Sequence, residues 1–332
     1  ATPIAIMVSS GKGARLGILF RHAAAIEQLK QVQTVMFDKT GTLTEGKPKV
    51  TDILAKDPTA VLGLAASIEQ ASEHPLSRAV VAKAKEEKLQ LTDVQDFEAL
   101  VGRGIQGKLE NEVIRIGNIE LMEDNAITIR EEDKQAIADL SDQGKTPLLV
   151  AQGQRLIGII AVADTLRKET KQAIAELKAL GLKTIMLTGD NERTAKAIAN
   201  EAGVDSYLAG QLPGQKEEAI ASYARLGKVA MVGDGINDAP ALAKADIGIA
   251  VGSATDVARE TADVVLVRNN LGDVNKAIQL SKATMRNIHQ NLFWAFFYNI
   301  LGIPLATGIL TLFSGPQLSP MFAAFAMSMS SV

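Results

Sequence analysis

"FDKTGTLTEG" (37–46) closes an apolar run with a carboxylate and a lysine, then continues with three threonines and two glycines. Four further aliphatic runs share its design: "TIMLTGD" (184–190), "VAMVGDG" (229–235), "IGIAVG" (247–252) and "VVLV" (264–267). Helical patterns separate them, among them "RKETKQAIAELKALG" (167–181) and "NERTAKAIANEAG" (191–203), each closing on a glycine suited to a C-cap. Near-continuous apolar strands joined by helices predict an α/β fold with a parallel sheet covered on both faces. In such sheets ligands gather at the carboxyl ends of the strands, where Asp38, Thr188, Asp190 and Asp234 fall.

Residues 41–183 lie between the first and second runs, far too many for one crossover. A second domain must therefore be inserted. Its stretch, 49–160, carries its own helices and strands, such as "EVIRIGN" (112–118) and "RLIGIIAVAD" (155–164). The parallel-sheet domain is then discontinuous, 21–48 and 161–275.

At 332 residues and 47% hydrophobic, the chain can bury two or three cores. A net charge of -3 excludes a general nucleic-acid binder but leaves small phosphate ligands open. The absence of Cys excludes disulfides and thiolate metal sites within these residues. After Arg286 no charged side chain follows. There "NLFWAFFYNILGIPLATGILTLF" (291–313) has the length of a membrane span, "SGPQ" (314–317) reads as a turn, and "LSPMFAAFAMSMSSV" (318–332) starts a second span. Lys276, Lys282 and Arg286 mark the preceding side as cytoplasmic. "ATPIAIMVSS" (1–10) reads as the end of another membrane helix, so that 1–20 and 276–332 flank the catalytic region and the whole is expected to be part of something larger. His22 and His289 read as surface or interface residues.

A carboxylate can act as a nucleophile toward phosphorus if neighbouring cations and a metal neutralise the phosphate. Lys39 and Lys216 can supply positive charge, Thr188 a hydroxyl beside the N–H groups near Gly189, and Asp234 a hard oxygen ligand for Mg²⁺. A lone strand-end Asp reads as a cap or a solvated carboxylate. D-K-T-G-T, T-G-D and G-D-G-x-N-D in this order form a much stronger signal.

"DKTGTLT", "TGD" and "GDGINDAPAL" resemble the signature motifs of P-type ATPases, built on a haloacid-dehalogenase-like phosphorylation domain. The resemblance covers essentially the whole chain and implies an inserted α+β nucleotide-binding domain and flanking transmembrane helices. It also implies that ATP phosphorylates Asp38, that Asp38, the Thr40 carbonyl and Asp234 hold Mg²⁺, and that Lys39, Thr188, Gly189, Asp190, Lys216, Asn237 and Asp238 serve phosphoryl transfer. "DTLRKE" (164–169) resembles the hinge through which the inserted domain returns. Soluble phosphatases of the superfamily carry a second Asp two positions after the nucleophile as acid and base. Thr40 stands there instead, which predicts a long-lived acyl phosphate whose hydrolysis needs a glutamate from an actuator domain.

"SEHPLSRAV" (72–80) and "GRGIQG" (102–107) resemble the nucleotide pocket of the heavy-metal-transporting branch. By that resemblance Glu69, His74, Gly102, Gly104, Ile105, Gly117 and Asn118 line the ATP site, the glycines letting the backbone approach the ligand. "YN" (298–299) and "MSMSS" (327–331) resemble elements of Cu⁺-transporting members, which makes Met327, Tyr298, Asn299 and Ser331 candidate Cu⁺ ligands, a thioether being soft enough for Cu(I). Residues 1–3 look like the segment following the family's Cys-Pro-Cys motif, which this sequence does not contain. The expected activity is ATP-driven export of Cu⁺. The expected setting is a bacterial plasma membrane with cytoplasmic catalytic domains, and the expected partners are membrane lipid, the remaining pump domains and a copper chaperone. A Zn²⁺/Cd²⁺ pump of the same branch, a phosphatase with an apolar tail and a silent nucleotide-binding scaffold are the alternatives.

Overall fold

The computed structural model describes residues 2–109, 112–234, 238–252, 255–306 and 321. Its strands in chain order are β1 (Ile18–Phe20), β2 (Val32–Asp38), β3 (Lys49–Ala55), β4 (Gln95–Leu100), β5 (Gly104–Leu109), β6 (Glu112–Gly117), β7 (Thr146–Gln152), β8 (Arg155–Ala163), β9 (Lys183–Leu187), β10 (Ser206–Leu208), β11 (Lys228–Gly233), β12 (Ile247–Ala250) and β13 (Val264–Leu266). They form two sheets, ordered β1-β13-β12-β11-β2-β9-β10 and β3-β8-β7-β6-β5-β4.

In the first sheet every neighbouring pair is parallel except the edge pair β1 and β13. All five apolar runs of the sequence are strands of this sheet. β11, β2 and β9 are adjacent and parallel, so the residues that follow Gly233, Phe37 and Leu187 emerge side by side at one edge. That places three sequence-distant motifs at one spot. One face is packed by Ala173, Ile174, Leu177, Ala195 and Ile198, and the other by Ile220, Ala241, Leu242 and Ala258. With both faces buried, the strands have no reason to alternate in polarity.

The helices obey local rules. Asn191 accepts a hydrogen bond from the Thr194 amide (3.0 Å) at the start of the helix Glu192–Ala202, and Gly203 (φ 80°) closes it in the left-handed region. The helix Pro58–Glu69 starts on Asp57 as cap and Pro58, whose missing N–H costs nothing there.

The second sheet is antiparallel throughout. Helices Pro58–Glu69 and Pro75–Glu86 cover the face presented by Ile114, Ile116, Val150, Ile160 and Val162, while Ile119–Asp124 and Glu131–Asp142 cover the face of Leu149, Ala151, Ile159 and Ala161. Successive residues of β7 and β8 thus enter opposite cores, the period of two expected of a strand.

The inserted unit rests on the helix Glu192–Ala202. The Thr194 hydroxyl donates to the Lys145 carbonyl (2.8 Å), Asn191 Nδ2 to the Ser141 hydroxyl (3.4 Å), and Arg193 pairs with Asp142 (3.0 Å).

Helices Thr2–Arg15 and Ala23–Lys30 pack against the long helix Gly272–Ala306, and the Ser9 and Thr284 hydroxyls share a hydrogen bond of 2.6 Å. Among the described residues no helix is long and apolar enough to cross a membrane. The described part of the first expected span, 291–306, ends the long helix, whereas that expected over 318–332 lies outside the described residues apart from Met321.

Candidate active site

Asp38 is the last residue of β2, and it is 6% exposed. Its Oδ2 accepts the Thr40 amide (2.9 Å), a short loop hydrogen bond that turns the chain away from the strand. Its Oδ1 accepts from Lys216 Nζ at 2.5 Å, and the same ammonium donates to Asp238 Oδ1 at 3.0 Å. Lys216 lies on the helix Pro213–Ala224 and is itself buried. Its ammonium is held in the charged state by the two carboxylates, which outweigh the opposing effect of burial.

Asp234 completes the group. Oxygens of Asp38, Asp234 and Asp238 all lie within 4.8 Å of one another. Such crowding resists ionisation: burial first, then the charge of Asp238, lift the Asp38 carboxyl to about 6 against the pull of Lys216 and Lys39. Burial, then Asp38 and Asp238, push Asp234 up to about 7. Three hard carboxylates with too little positive charge between them are a fitting site for a divalent cation such as Mg²⁺. Gly41 (φ 73°) is needed beside them, because a Cβ there would stand 1.7 Å from Asp234 Oδ2.

Lys39 points elsewhere. Its ammonium pairs with Asp190 Oδ2 at 2.6 Å, and Asp190 Oδ1 accepts the Thr146 hydroxyl from the inserted sheet at 3.2 Å. Burial pushes the Asp190 carboxyl up, but Lys39 and the hydroxyls of Thr188 and Thr146 overcome it and leave it lowered. Thr188 is buried, and its Oγ1 accepts the Asp190 amide (3.1 Å) across Gly189. Thus Asp38, Thr40, Lys216, Asp234 and Asp238 meet at one point, and Lys39, Thr188 and Asp190 adjoin them. Asn237 lies outside the described residues.

Two further groups hold this loop, and a third holds Asp190. Arg167 donates from Nε to the Thr42 carbonyl (2.9 Å) and from Nη2 to the Gly41 carbonyl. Asp164 accepts the Thr44 hydroxyl (2.5 Å) and the amides of Gly46 and Lys47 (3.1 Å each). "DTLRKE" signalled them as a hinge; here they also brace the catalytic loop. Thr146 carries no sequence signal, since its partner Asp190 is 44 residues away.

The candidate nucleotide residues sit on the inserted unit. His74 caps the helix Pro75–Glu86 through Nδ1, which accepts the Leu76 amide (3.3 Å). Loss of hydration first, then the Lys39 charge, lower its pKa. Asn118 Nδ2 donates to the Gly102 carbonyl (2.9 Å), and its Oδ1 caps Ile119–Asp124. Gly104 (φ 147°) and Gly117 face each other: a Cβ on the first would stand 2.1 Å from the Ile116 carbonyl oxygen, and one on the second 2.2 Å from that of Arg103. Here the glycines let backbone approach backbone. Ile105, the next residue of β5, is buried opposite Ile116.

Glu69 is 4% exposed, and burial raises its carboxyl to about 7, with the Ser77 hydroxyl opposing too weakly. Its native carboxyl thus holds a proton more tightly than the unfolded one, at 4.5. The stability this lends is full below about pH 4.5 and lost as pH rises through about 7. Glu69→Gln should therefore match the wild type in urea unfolding at pH 4.5 and exceed it by about 3 kcal/mol at pH 8. Identical pH dependence in both proteins would refute the shift.

The transport-site candidates are remote from this cluster. Tyr298 and Asn299 lie on the long helix, where Asn299 is exposed and donates to the Ala295 carbonyl (2.9 Å). Met327 and Ser331 lie outside the described residues.

Residues 32–246 match the family model described as haloacid dehalogenase-like hydrolase. The chain is 49% identical over its whole length to the "Copper-transporting ATPase 2" of Rhizobium meliloti (strain 1021), of which it covers 40%. A solved zinc-transporting PIB-type ATPase in its E2.Pi state is 40% identical over 99% of the chain, with a TM-score of 0.71, and 53% of that structure is covered. The catalytic domain of the CPx-ATPase CopB-B is 31% identical over 81% of this chain and 97% of its own, with a TM-score of 0.66. The chain thus spans about two fifths of the length of the curated relative. The chain belongs to the haloacid dehalogenase-like hydrolases and, among them, to the heavy-metal-transporting P-type ATPases.

Proposed function

We propose that the chain is the ATP-consuming core of a Cu⁺-exporting pump that works through an aspartyl phosphate at Asp38. The observation that carries this reading is the buried Asp38 carboxylate tied to Lys216 at 2.5 Å beside Asp234 and Asp238, with Thr40 where a phosphatase would have its acid and base. In it, 21–48 and 161–275 form the phosphorylation domain and 49–160 the nucleotide domain. The Asp38 oxygen forms a bond to the γ-phosphorus as the bond to the β-phosphate oxygen breaks, and ADP leaves with that electron pair.

Lys216 keeps the nucleophile oriented and neutralises the incoming phosphoryl oxygens, helped by Thr188, Gly189, Asn237 and Asp238. Asp38, the Thr40 carbonyl and Asp234 would hold Mg²⁺, which would supply positive charge to the phosphoryl oxygens. Lys39, tied to Asp190, sits at the seam with the inserted unit and offers charge to the nucleotide phosphates once that unit closes. Glu69, His74, Gly102, Gly104, Ile105, Gly117 and Asn118 form the nucleotide face. Because no side chain two positions from Asp38 can activate water, the phosphoenzyme persists until an actuator domain supplies a glutamate. Met327, Tyr298, Asn299 and Ser331 take part in passing Cu⁺ across a bacterial plasma membrane, fed by a copper chaperone.

A Zn²⁺ pump is the second reading, supported by the zinc-transporting structure at 40% identity. Metal-stimulated ATP hydrolysis by the full-length protein separates the two. Stimulation by Cu⁺ exceeding that by Zn²⁺ is expected, and the reverse order overturns the copper assignment.

A further inference from the structure

The junction between the folded region and the aromatic end of the long helix holds a cleft of about 550 Å³ with no role in phosphoryl transfer. Lys30, Lys282, Arg286, His289, Phe293 and Trp294 line it, and among the described residues no acidic side chain does. Lys282, Arg286, His289 and Phe293 are spaced by four, three and four residues, which puts them on one face of the long helix. Lys30 arrives from the end of the helix Ala23–Lys30, held against the long helix by the Ser281 hydroxyl, which donates to the Ile26 carbonyl.

Among the described residues, Lys30, Lys282 and Arg286 have neither an ion pair nor a hydrogen-bonded side-chain partner. Lys30 and Lys282 are also half-buried, which makes unbalanced positive charge costlier than at an open surface. The face changes character within a turn. Phe293, Trp294 and Phe297 form a ring cluster with centroids 5.5–5.9 Å apart, and Phe293, Trp294 and Phe296 are 50–64% exposed. A cationic end continuous with an aromatic shelf matches a ligand that is anionic at one end and apolar beyond it. A free phosphate would satisfy the cations and leave the shelf in water.

We propose that this cleft binds the headgroup of an anionic phospholipid, its phosphate on Lys30, Lys282 and Arg286 and its glycerol and upper acyl chain along Phe293 and Trp294. The proposal rests on the membrane setting of the proposed function, and it assigns to that setting one defined lipid site.

Trp294 is the only tryptophan of the chain, so its fluorescence reports occupancy directly. The full chain in nonionic detergent is titrated with dioctanoyl phosphatidylglycerol, with dioctanoyl phosphatidylcholine and with inorganic phosphate. Saturable change with the anionic lipid is expected, with the zwitterionic lipid about tenfold weaker and phosphate without effect. In the double variant Lys282→Gln/Arg286→Gln the anionic preference should fall by about tenfold, with far-UV dichroism unchanged. Equal affinity for the two lipids, as expected if an acidic protein segment is the natural occupant, overturns the proposal. So do saturation by phosphate alone and a preference that survives the double substitution. Phosphorylation of Asp38, followed on the same samples, is independent of this outcome: a chain that takes the label without lipid preference loses only the lipid site, and one with preference but no label loses only the pump reading.

Discussion

Asp38→Asn is expected to abolish the acid-stable, hydroxylamine-sensitive label left by γ-³²P ATP and to lower ATP hydrolysis by at least about 10⁴-fold, the order seen when a covalent nucleophile is removed. The amide preserves the shape of the carboxyl, so geometry survives, but it cannot form the acyl phosphate. Its stability should not suffer. Asp38, Asp234 and Asp238 crowd within 4.8 Å, and burial with mutual repulsion lifts Asp38 to about 6 and Asp234 to about 7. Removing one of three competing charges relieves that repulsion, so the melting temperature should stay level or rise at pH 7. A variant that melts normally and no longer takes the label isolates the chemistry from the fold. One that hydrolyses ATP at the wild-type rate would end the phosphoenzyme reading.

Lys216→Met should have the next largest effect, and on stability as much as on activity. The residue is 9% exposed, and its ammonium is shared between Asp38 (2.5 Å) and Asp238 (3.0 Å). Methionine fills a similar volume without charge, leaving two buried carboxylates without their counter-ion. Breaking a buried pair in this way costs about 3–5 kcal/mol. The loss should be largest in EDTA, and adding Mg²⁺ should raise the variant's melting temperature by more than the wild type's, since a cation on the same carboxylates replaces part of the missing charge. Labelling should fall sharply even with Mg²⁺, because Lys216 also orients the nucleophile. Equal melting of variant and wild type in EDTA would show that Lys216 does not balance these carboxylates.

The parts of this protein written in its sequence are those set by local rules. The runs ending in Asp38, Thr188 and Asp234 had to be buried parallel strands, because uninterrupted β-branched and aliphatic residues need cover on both faces, and chemistry collects where such strands end. The helix ends at Asn191 and Gly203 were equally legible, since a cap is made within a few residues. Tertiary structure alone decided what depends on distant chain segments meeting. Lys216 reaches Asp38 across 178 positions and Arg167 reaches the Thr42 carbonyl across 125, distances over which no periodicity carries information. The tie of Lys39 to Asp190, and of Asp190 to Thr146, follows from how the inserted unit leans on the helix Glu192–Ala202. Gly104 and Gly117 look like ligand-facing glycines in one dimension. In three they are first a close approach of two paired antiparallel strands, because whether a missing side chain makes room for a ligand or for backbone is settled only by what packs against it.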